Sequence, residues 1–397
     1  MSRESSVAKI FRGGGTFNQG AEESASRKIF HFKNIKKVNK LILLVFSFIL
    51  LIGLVNLMAV SNSHAAKQSL YVIFFSPVFF LIISVNPRYF IKFAYVAFLG
   101  SILMLVSIFV IGDISMGARR WIDIKIFKFQ PSEIAKIVTV IAIARYYHFL
   151  KESEIYKLKS ALVPFSIIFL QVGLILKQPD LGTSMTVILI GLCVIFLSGL
   201  KIRYFVLAFV GGLLLIPILW GKLHDYQKQR VKTFLNPDED SLGTGYNIIQ
   251  AKIAIGSGGF FGKGIFAGTQ GTLDFIPESH TDFAFTVFAE QFGFLGFLIL
   301  LSLYSVIIIW GTRIALEAES HFIRLTSAGI TCIFFLHIII NLAMTSGMIP
   351  VVGNPLPLIS YGGTFLISNL ICFAILLNME INKAIVIHSS KDSYMEK

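Results

Sequence analysis

Apolar runs long enough to cross a membrane recur along the chain and are separated by shorter polar or basic segments. An α-helix rises about 1.5 Å per residue, so about 20 apolar residues cross a hydrocarbon core of about 30 Å. The run that begins at Pro131 is the most polar of these segments. The pattern predicts an all-α polytopic membrane protein with about ten transmembrane helices, near residues 41–60, 68–86, 91–112, 131–148, 161–176, 182–200, 204–221, 283–310, 322–349 and 361–386.

The polar segments predict how the rest of the chain is organised. Residues 1–40 form a flexible basic tail, residues 41–386 form the membrane domain, and residues 387–397 form a short C-terminal tail. A large extracytoplasmic loop, residues 222–281, separates the seventh and eighth predicted helices. The first apolar run is too long for the core of a signal peptide, and further spans follow it, so it predicts a membrane helix.

The composition supports a membrane protein. Hydrophobic residues make up 55% of the chain and charged residues only 14%, whereas soluble domains have about 25% charged residues. The formal net charge is +13, but the basic residues lie mostly beside apolar runs, where they orient helices and contact anionic head groups. We therefore expect a membrane partner and no nucleic acid. The three cysteines lie in apolar runs without metal-ligand spacing, so they predict neither a disulfide framework nor a zinc site.

The distribution of basic residues predicts the orientation in the membrane. An even number of spans places both termini on one side, and the basic tail and the basic turns on that side are typical of the cytoplasm. The opposite side carries residues 222–281, where acidic residues offset the basic ones. Residues 113–130 break the rule, since four basic residues would lie outside: Arg119, Arg120, Lys125 and Lys128. This exception indicates an anionic ligand on the outer face.

Two charged clusters are candidates for chemistry. The first contains Arg119 and Arg120 and leads into a helix where Glu133 and Lys136, three residues apart, share one face. It is either a salt bridge beside an aromatic anchor or a cationic pocket for phosphates, which arginine binds through two hydrogen bonds. Charges within a membrane helix are usually functional.

The second cluster precedes the eighth predicted helix and contains Ser279, His280 and Asp282. Ser279 and Asp282 have the spacing of a helix capping box. Alternatively, Asp282 is a carboxylate fixed at the helix entrance, where it acts as a general base toward a hydroxyl or as a ligand for a divalent cation. Asp180, which begins an earlier helix, also has the position of a simple cap.

Two further segments have unusual backbone requirements. The glycine-rich segment around Lys263 lacks the Ser or Thr that follows the Lys of a phosphate-binding P-loop, so its glycines favour a close backbone approach instead. Residues 347–363 contain no charge, and their prolines and glycines exclude a regular helix. Non-helical backbone at membrane depth must be buried or line a cavity, so this segment is predicted to re-enter the membrane and wall a cavity on the outer side.

Six blocks occur in the order found in the SEDS family, the shape, elongation, division and sporulation proteins: GARRWID, FQPSEIAK, KQPDLGTS, GYNIIQAKIAIGSGGFFGKG, PESHTDF and PLPLISYGG. The resemblance runs from about residue 40 to residue 385. FQPSEIAK, AIGSGG with the following GTQG, and PVVG resemble the elongation branch, although Asn354 stands where that branch usually has an aliphatic residue. The resemblance implies a peptidoglycan glycosyltransferase that polymerises lipid II at the outer face of the cytoplasmic membrane. The implied partners are a class B penicillin-binding protein and other elongation proteins.

The resemblance also implies roles for individual residues. The family's essential aspartate corresponds to Asp282, the base for the acceptor 4-hydroxyl, which acts directly or through a divalent cation such as Mg or Mn. Arg119, Arg120 and Lys263 would stabilise the leaving diphosphate. The full set of substrate-binding residues expected from the matching blocks is Arg119, Arg120, Glu133, Lys136, Asp180, Lys263, His280, Thr281 and Ser360.

Two other functions stay open at this point. A lipid II flippase would also need a polytopic bundle with cationic patches, but a transporter places polar groups near the membrane midplane, where this chain has few charges. A scaffold that only recruits a penicillin-binding protein would leave Asp282 without a task.

Overall fold

The computed structural model describes residues 28–115, 118–125, 127–222, 225–236, 244–268 and 278–387. Most of the predicted N-terminal tail and nearly all of the C-terminal tail therefore lie outside the described residues. The α-helices longer than one turn are, in chain order, α1 (Lys40–Val60), α2 (Asn62–Ser84), α3 (Pro87–Ile111), α4 (Pro131–His148), α5 (Leu162–Lys177), α6 (Leu181–Leu197), α7 (Ile202–Lys222), α8 (Asp225–Leu235), α9 (Thr244–Ser257), α10 (Ala284–Glu317), α11 (His321–Thr345) and α12 (Gly363–Ile381).

The helices confirm the predicted all-α bundle, since each predicted span coincides with one long helix. Seven of them are long and apolar enough to cross a membrane: α1, α2, α3, α5 with its preceding turn, α10, α11 and α12. The apolar parts of α6 and α7 are shorter. Helices α8 and α9 lie in the predicted large loop between α7 and α10. Three shorter pieces complete the helices: 3₁₀ turns at Phe32–Lys37 and Leu158–Ala161, and one α-turn at Glu152–Ile155.

The polar helix α4 lies at the centre of the bundle. It packs against five other helices, α3, α5, α6, α11 and α12, and nearly all its residues are buried. Pro131 occupies its first turn, where a missing N–H is tolerated. Because α4 contacts protein on most sides, it does not need the apolar surface of a lipid-facing span, which explains its low hydropathy.

A small antiparallel sheet between α3 and α4 was not predicted. It consists of β1 (Asp113–Ser115), β2 (Ala118–Asp123) and β3 (Lys128–Phe129), with β2 in the middle. Successive side chains of a strand point to opposite faces. Arg119 and Arg120 are neighbours on β2, so the sheet separates the two arginines that the sequence analysis had grouped together.

Residues 356–360 of the uncharged segment between α11 and α12 are buried, as predicted, whereas Met348 near its start is exposed. Leu356, Leu358 and Ser360 are almost inaccessible to solvent. The segment is tied to α11 by Asn341, whose Nδ2 donates to the Asn354 carbonyl at 2.7 Å. On the other side α1 approaches so closely that a Cβ added to Gly53 would lie 2.1 Å from the Leu358 carbonyl oxygen. We call residues 346–362 the re-entrant segment.

The close approach of α1 gives a first testable prediction. Gly53→Ala should lower thermal stability in detergent by an amount equivalent to about 1–3 kcal/mol, because the methyl group would displace the re-entrant segment. Gly100→Ala in α3 is the matched control, since nothing lies within 4 Å of a Cβ there and alanine favours a helix. Equal melting temperatures for the two variants would contradict the packing described.

Candidate active site

A cavity of about 630 Å³ lies at the end of the bundle where α4, α6, α10 and α12 begin, bounded also by the small sheet and the re-entrant segment. We call it the carboxylate cavity. Its lining includes Tyr71, Thr183, Asn354 and Tyr361 as well as nine charged residues: Arg120, Asp123, Lys125, Lys128, Glu133, Asp180, Arg230, Glu278 and Asp282. The cavity therefore combines cations suited to phosphate groups with several carboxylates.

Asp282 lies in the turn before α10 and lines this cavity. The helix begins after Phe283, and no side-chain hydrogen bond caps it, so Asp282 does not act as a helix cap. Its carboxylate lies beside Gly353, where an added Cβ would come within 3.3 Å of Oδ2. Its backbone carbonyl accepts from Asn341 Nδ2 at 2.9 Å. The same Asn341 amide thus holds both Asp282 and the re-entrant segment.

The surroundings of Asp282 make it a stronger base than an ordinary carboxylate. Burial is the main cause that raises its pKa to about 6, and the negative charge of Glu278 adds to this effect. The positive charges of Arg230 and Arg120 lower the same pKa. At neutral pH the group is still mostly ionised. A base with a pKa close to the working pH is efficient in general base catalysis.

Asp180 both caps α6 and contributes charge to the cavity. Its Oδ1 accepts from the Thr183 backbone N–H at 3.1 Å, and its Oδ2 accepts from the Thr183 hydroxyl at 2.9 Å. Arg120 Nε lies 3.9 Å from Asp180 Oδ2. The Arg120 guanidinium also donates to the carbonyl oxygens of Gln178 and Pro179. These bonds hold Arg120 in the cavity wall.

Glu133 and Lys136 form a buried ion pair, with 2.8 Å between Glu133 Oε1 and Lys136 Nζ. The second Glu133 oxygen accepts from the Ser368 hydroxyl of α12 at 3.1 Å. Lys136 Nζ also lies 2.8 Å from Nε2 of His337 on α11. The pair therefore links α4 to α11 and α12. Glu133 lines the cavity, whereas Lys136 does not line it and contacts Glu133 through the ion pair.

His280 and Thr281, the two neighbours of Asp282 that were predicted for the site, also line the cavity. The Thr281 hydroxyl donates to Glu278 Oε2 at 2.6 Å. The His280 ring stacks on His64 of α2, with 4.5 Å between the ring centroids, and the His280 carbonyl accepts from the Tyr361 N–H at 2.8 Å. The turn before α10 is thereby attached to both α2 and the re-entrant segment.

Besides Lys136, three further predicted site residues lie outside the cavity lining. Arg119 is exposed and donates to the Phe109 carbonyl at 3.2 Å. Lys263 pairs with Glu290, at 2.7 Å. The buried Ser360 hydroxyl accepts from the Leu356 N–H at 2.8 Å and so shapes the re-entrant segment. Their predicted contacts with substrate stay predictions, and the geometry gives each of them a structural partner.

Arg230 of α8 was not selected from the sequence. It lines the cavity, and its Nη1 donates to the Val351 carbonyl at 3.1 Å. The available signal was weak, since Arg230 was one of several basic residues in the predicted loop. Gln68 of α2 was also missed. Its amide bonds to the Ser360 carbonyl and the Gly362 N–H, each at 3.4 Å, on either side of Tyr361.

A polytopic bundle with an uncharged re-entrant segment and a carboxylate of raised pKa in the wall of a cavity defines a membrane-embedded class of protein. The chain belongs to the FtsW/RodA/SpoVE family, whose model, described as "Cell cycle protein", matches residues 34–385. It is 46% identical over 300 residues to the peptidoglycan glycosyltransferase MrdB of Escherichia coli K12, covering 75% of this chain and 80% of that relative. The MrdB of Helicobacter pylori is 34% identical over 362 residues, covering 89% and 93%.

Solved structures resemble the chain over a similar length. A chain from a peptidoglycan synthase complex that coordinates polymerization and crosslinking has a TM-score of 0.77 and 31% identity, covering 87% of this chain and 98% of that one. The rod shape determining protein RodA of Thermus thermophilus has a TM-score of 0.66 and 26% identity, covering 88% and 98%. The family and the seven apolar helices together identify a multi-pass membrane protein.

The buried ion pair generates a prediction for stability. Lys136→Met should destabilise the protein by about 3–5 kcal/mol, because Glu133 would be left as an unpaired buried charge. The double variant Glu133→Gln with Lys136→Met should recover much of that loss, since it leaves no unpaired charge. Thermal unfolding in detergent measures both. A double variant no more stable than Lys136→Met would contradict the pairing.

Proposed function

We propose that this chain is a peptidoglycan glycosyltransferase that polymerises lipid II into glycan strands during cell elongation. The observation that carries the proposal is Asp282, a carboxylate with a pKa raised to about 6 at the wall of a cavity that also presents Arg120 and Arg230. Relatives with this activity in their names cover most of the chain.

The reaction joins two lipid-linked disaccharides. The 4-hydroxyl of the acceptor sugar attacks the anomeric carbon of the donor, a new glycosidic bond forms, and the bond to the lipid diphosphate breaks. Asp282 accepts the proton of the attacking hydroxyl. A single displacement of this kind inverts the configuration at the anomeric carbon. The raised pKa suits this role, since proton transfer to an ordinary carboxylate is less favourable.

Negative charge develops on the leaving diphosphate, and arginines that are already oriented toward it stabilise such charge effectively. Arg120 and Arg230 are the arginines that support this role, because both line the cavity and both act on the charge of Asp282. Each is held by backbone carbonyls, so each is oriented before the substrate arrives. Asp180 keeps Arg120 in place from the other side.

The proposed divalent cation needs a separate test. No group of three or more His, Cys, Asp or Glu side chains suited to a metal ion occurs among the described residues, whereas Mg²⁺ requires about six oxygen ligands. The described side chains therefore do not fit a cation held by the protein alone, and in the proposed reaction side chains carry every step.

The remaining parts of the proposal concern location and partners. The enzyme would lie in the cytoplasmic (inner) membrane with both termini in the cytoplasm, and the carboxylate cavity would open on the outer face. A class B penicillin-binding protein would crosslink the strands that this chain makes. Support comes from the similarity to a chain of a peptidoglycan synthase complex and from the basic residues beside the spans.

Asp282→Asn tests the proposed base. The purified variant should lose at least about 100-fold of lipid II polymerisation. Its thermal stability at neutral pH should be equal or higher, because an acid with a raised pKa destabilises the folded state once it ionises. Glu317→Gln, at the exposed far end of α10, is the matched control and should stay active. Gel analysis of glycan products, with and without EDTA, provides the measurement.

Polymerisation by a folded Asp282→Asn protein at the rate of the wild type would remove Asp282 from the mechanism. No polymer from the wild type, even with a penicillin-binding partner present, would favour a flippase or a scaffold instead. Loss of activity in EDTA that Mg²⁺ or Mn²⁺ restores would show that a cation takes part.

The charges around Asp282 predict opposite pH shifts. Polymerisation by the wild type should rise with pH through a midpoint near 6, because only ionised Asp282 accepts a proton. Arg230→Gln should move this midpoint up and Glu278→Gln should move it down, since the first removes a positive and the second a negative charge. The rates are measured at saturating lipid II from about pH 4.5 to about pH 8, a range that extends to both sides of the expected midpoint. Shifts in the same direction would contradict the assignment.

A further inference from the structure

Helix α10 contains a break, and the glycine-rich segment after α9 forms the backbone hydrogen bonds that α10 loses there. The helix is non-helical at Gly293, with φ 62° and ψ −162°. In an unbroken helix the carbonyls of Glu290 and Gln291 would accept from the N–H groups of Phe294 and Leu295. Here all four groups bond to residues 259–264 instead, and the four distances are Lys263 N to Glu290 O 3.0 Å, Gly264 N to Gln291 O 3.0 Å, Phe294 N to Gly259 O 2.9 Å and Leu295 N to Phe260 O 3.0 Å.

The contact requires glycines on both sides. A Cβ on Gly262 would lie 2.1 Å from the Gln291 carbonyl oxygen, and a Cβ on Gly293 would lie 2.3 Å from the Gly262 nitrogen. Both residues also have positive φ angles. The close backbone approach predicted for this block is confirmed, and its partner is α10.

The length of α10 beyond the break indicates that the break lies close to one boundary of the membrane. Residues 294–317 continue as a helix of about 36 Å, which alone crosses a hydrocarbon core of about 30 Å. Several apolar side chains just after the break are exposed and form the lipid-facing side of α10: Phe294, Leu295, Leu298 and Ile299. The glycine-rich segment thus contacts α10 at the end near Asp282, where this lipid-facing side begins.

The segment carries exposed apolar side chains of its own. Phe261 is 76% exposed and Phe266 62%. Together with Phe260 and Ile265, which are also exposed, they form what we call the phenylalanine patch. The Phe260 ring lies 5.9 Å from the Phe294 ring, so the patch continues the lipid-facing side of α10. A large exposed apolar patch of this kind marks a contact surface.

We propose that the phenylalanine patch inserts into the bilayer and anchors the loop between α7 and α10 to the leaflet on the Asp282 side. Non-helical backbone is tolerated at membrane depth only if its peptide groups are paired, and the exchange with α10 pairs them. Phenylalanine and isoleucine side chains transfer favourably from water into the apolar part of a bilayer. The one charge in the segment, Lys263, is matched by Glu290 at 2.7 Å. The occupant of this surface is therefore lipid.

Spin labelling tests this anchor without any measurement of activity. The three native cysteines are replaced by alanine, and the full chain with Phe261→Cys is labelled and reconstituted in vesicles of phosphatidylcholine and phosphatidylglycerol. Ile309→Cys, in the lipid-facing middle of α10, and Lys252→Cys, exposed on α9, are the matched controls. Accessibility of each label to oxygen and to a water-soluble nickel chelate is measured.

The label at position 261 should resemble the label at 309, with a ratio of oxygen to nickel accessibility several-fold above that at 252. A ratio equal to that at 252 would show that the patch faces water and would overturn the proposal. The proposal would also be overturned if the label at 261 lost accessibility to the nickel chelate only after a penicillin-binding partner was added, because the patch would then be a protein interface. A second label at Phe266→Cys should give the same result as 261.

Discussion

The constraint on which this structure depends is that the bilayer offers no water to pair with peptide groups or charges. Three features of the structure pair peptide groups or charges within the protein instead. Residues 356–360 of the re-entrant segment are buried, and the segment contacts α1 at Gly53 and is hydrogen-bonded to Asn341 of α11. The break in α10 is repaired by a neighbouring segment. The charges of α4 are paired with each other and with α11 and α12. Each of them brings distant parts of the chain together, and two of them, the re-entrant segment and α4, line the carboxylate cavity.

The same constraint explains the chemistry available at Asp282. A carboxylate that begins a helix is usually stabilised by the N–H groups of the first turn, which lowers its pKa. Asp282 stands one residue too early for that, and both its burial and the negative charge of Glu278 disfavour its ionised form. Its pKa is therefore raised. Arg120 and Arg230 keep it ionised at neutral pH and provide positive charge for a phosphate leaving group.

Much of the fold could be predicted from the sequence, because a span must contain about 20 apolar residues wherever it occurs. Even the polar helix α4 was found from its pattern. The small sheet was not, since strands of two to six residues have no clear periodicity. The cavity was predicted only in part. The ordered blocks pointed to Asp282, Glu133 and Asp180, but the position of Arg230 depends on how α8 meets the re-entrant segment, which is a tertiary contact without a local signal.

The central claim is that the cavity makes Asp282 a base with a raised pKa. An infrared titration of the purified protein measures this most directly, by following the carboxyl band that is present in the wild type and absent in Asp282→Asn. We expect this band to disappear with a midpoint near pH 6 as the pH rises. A midpoint near the ordinary aspartate value of about 3.9 would contradict it.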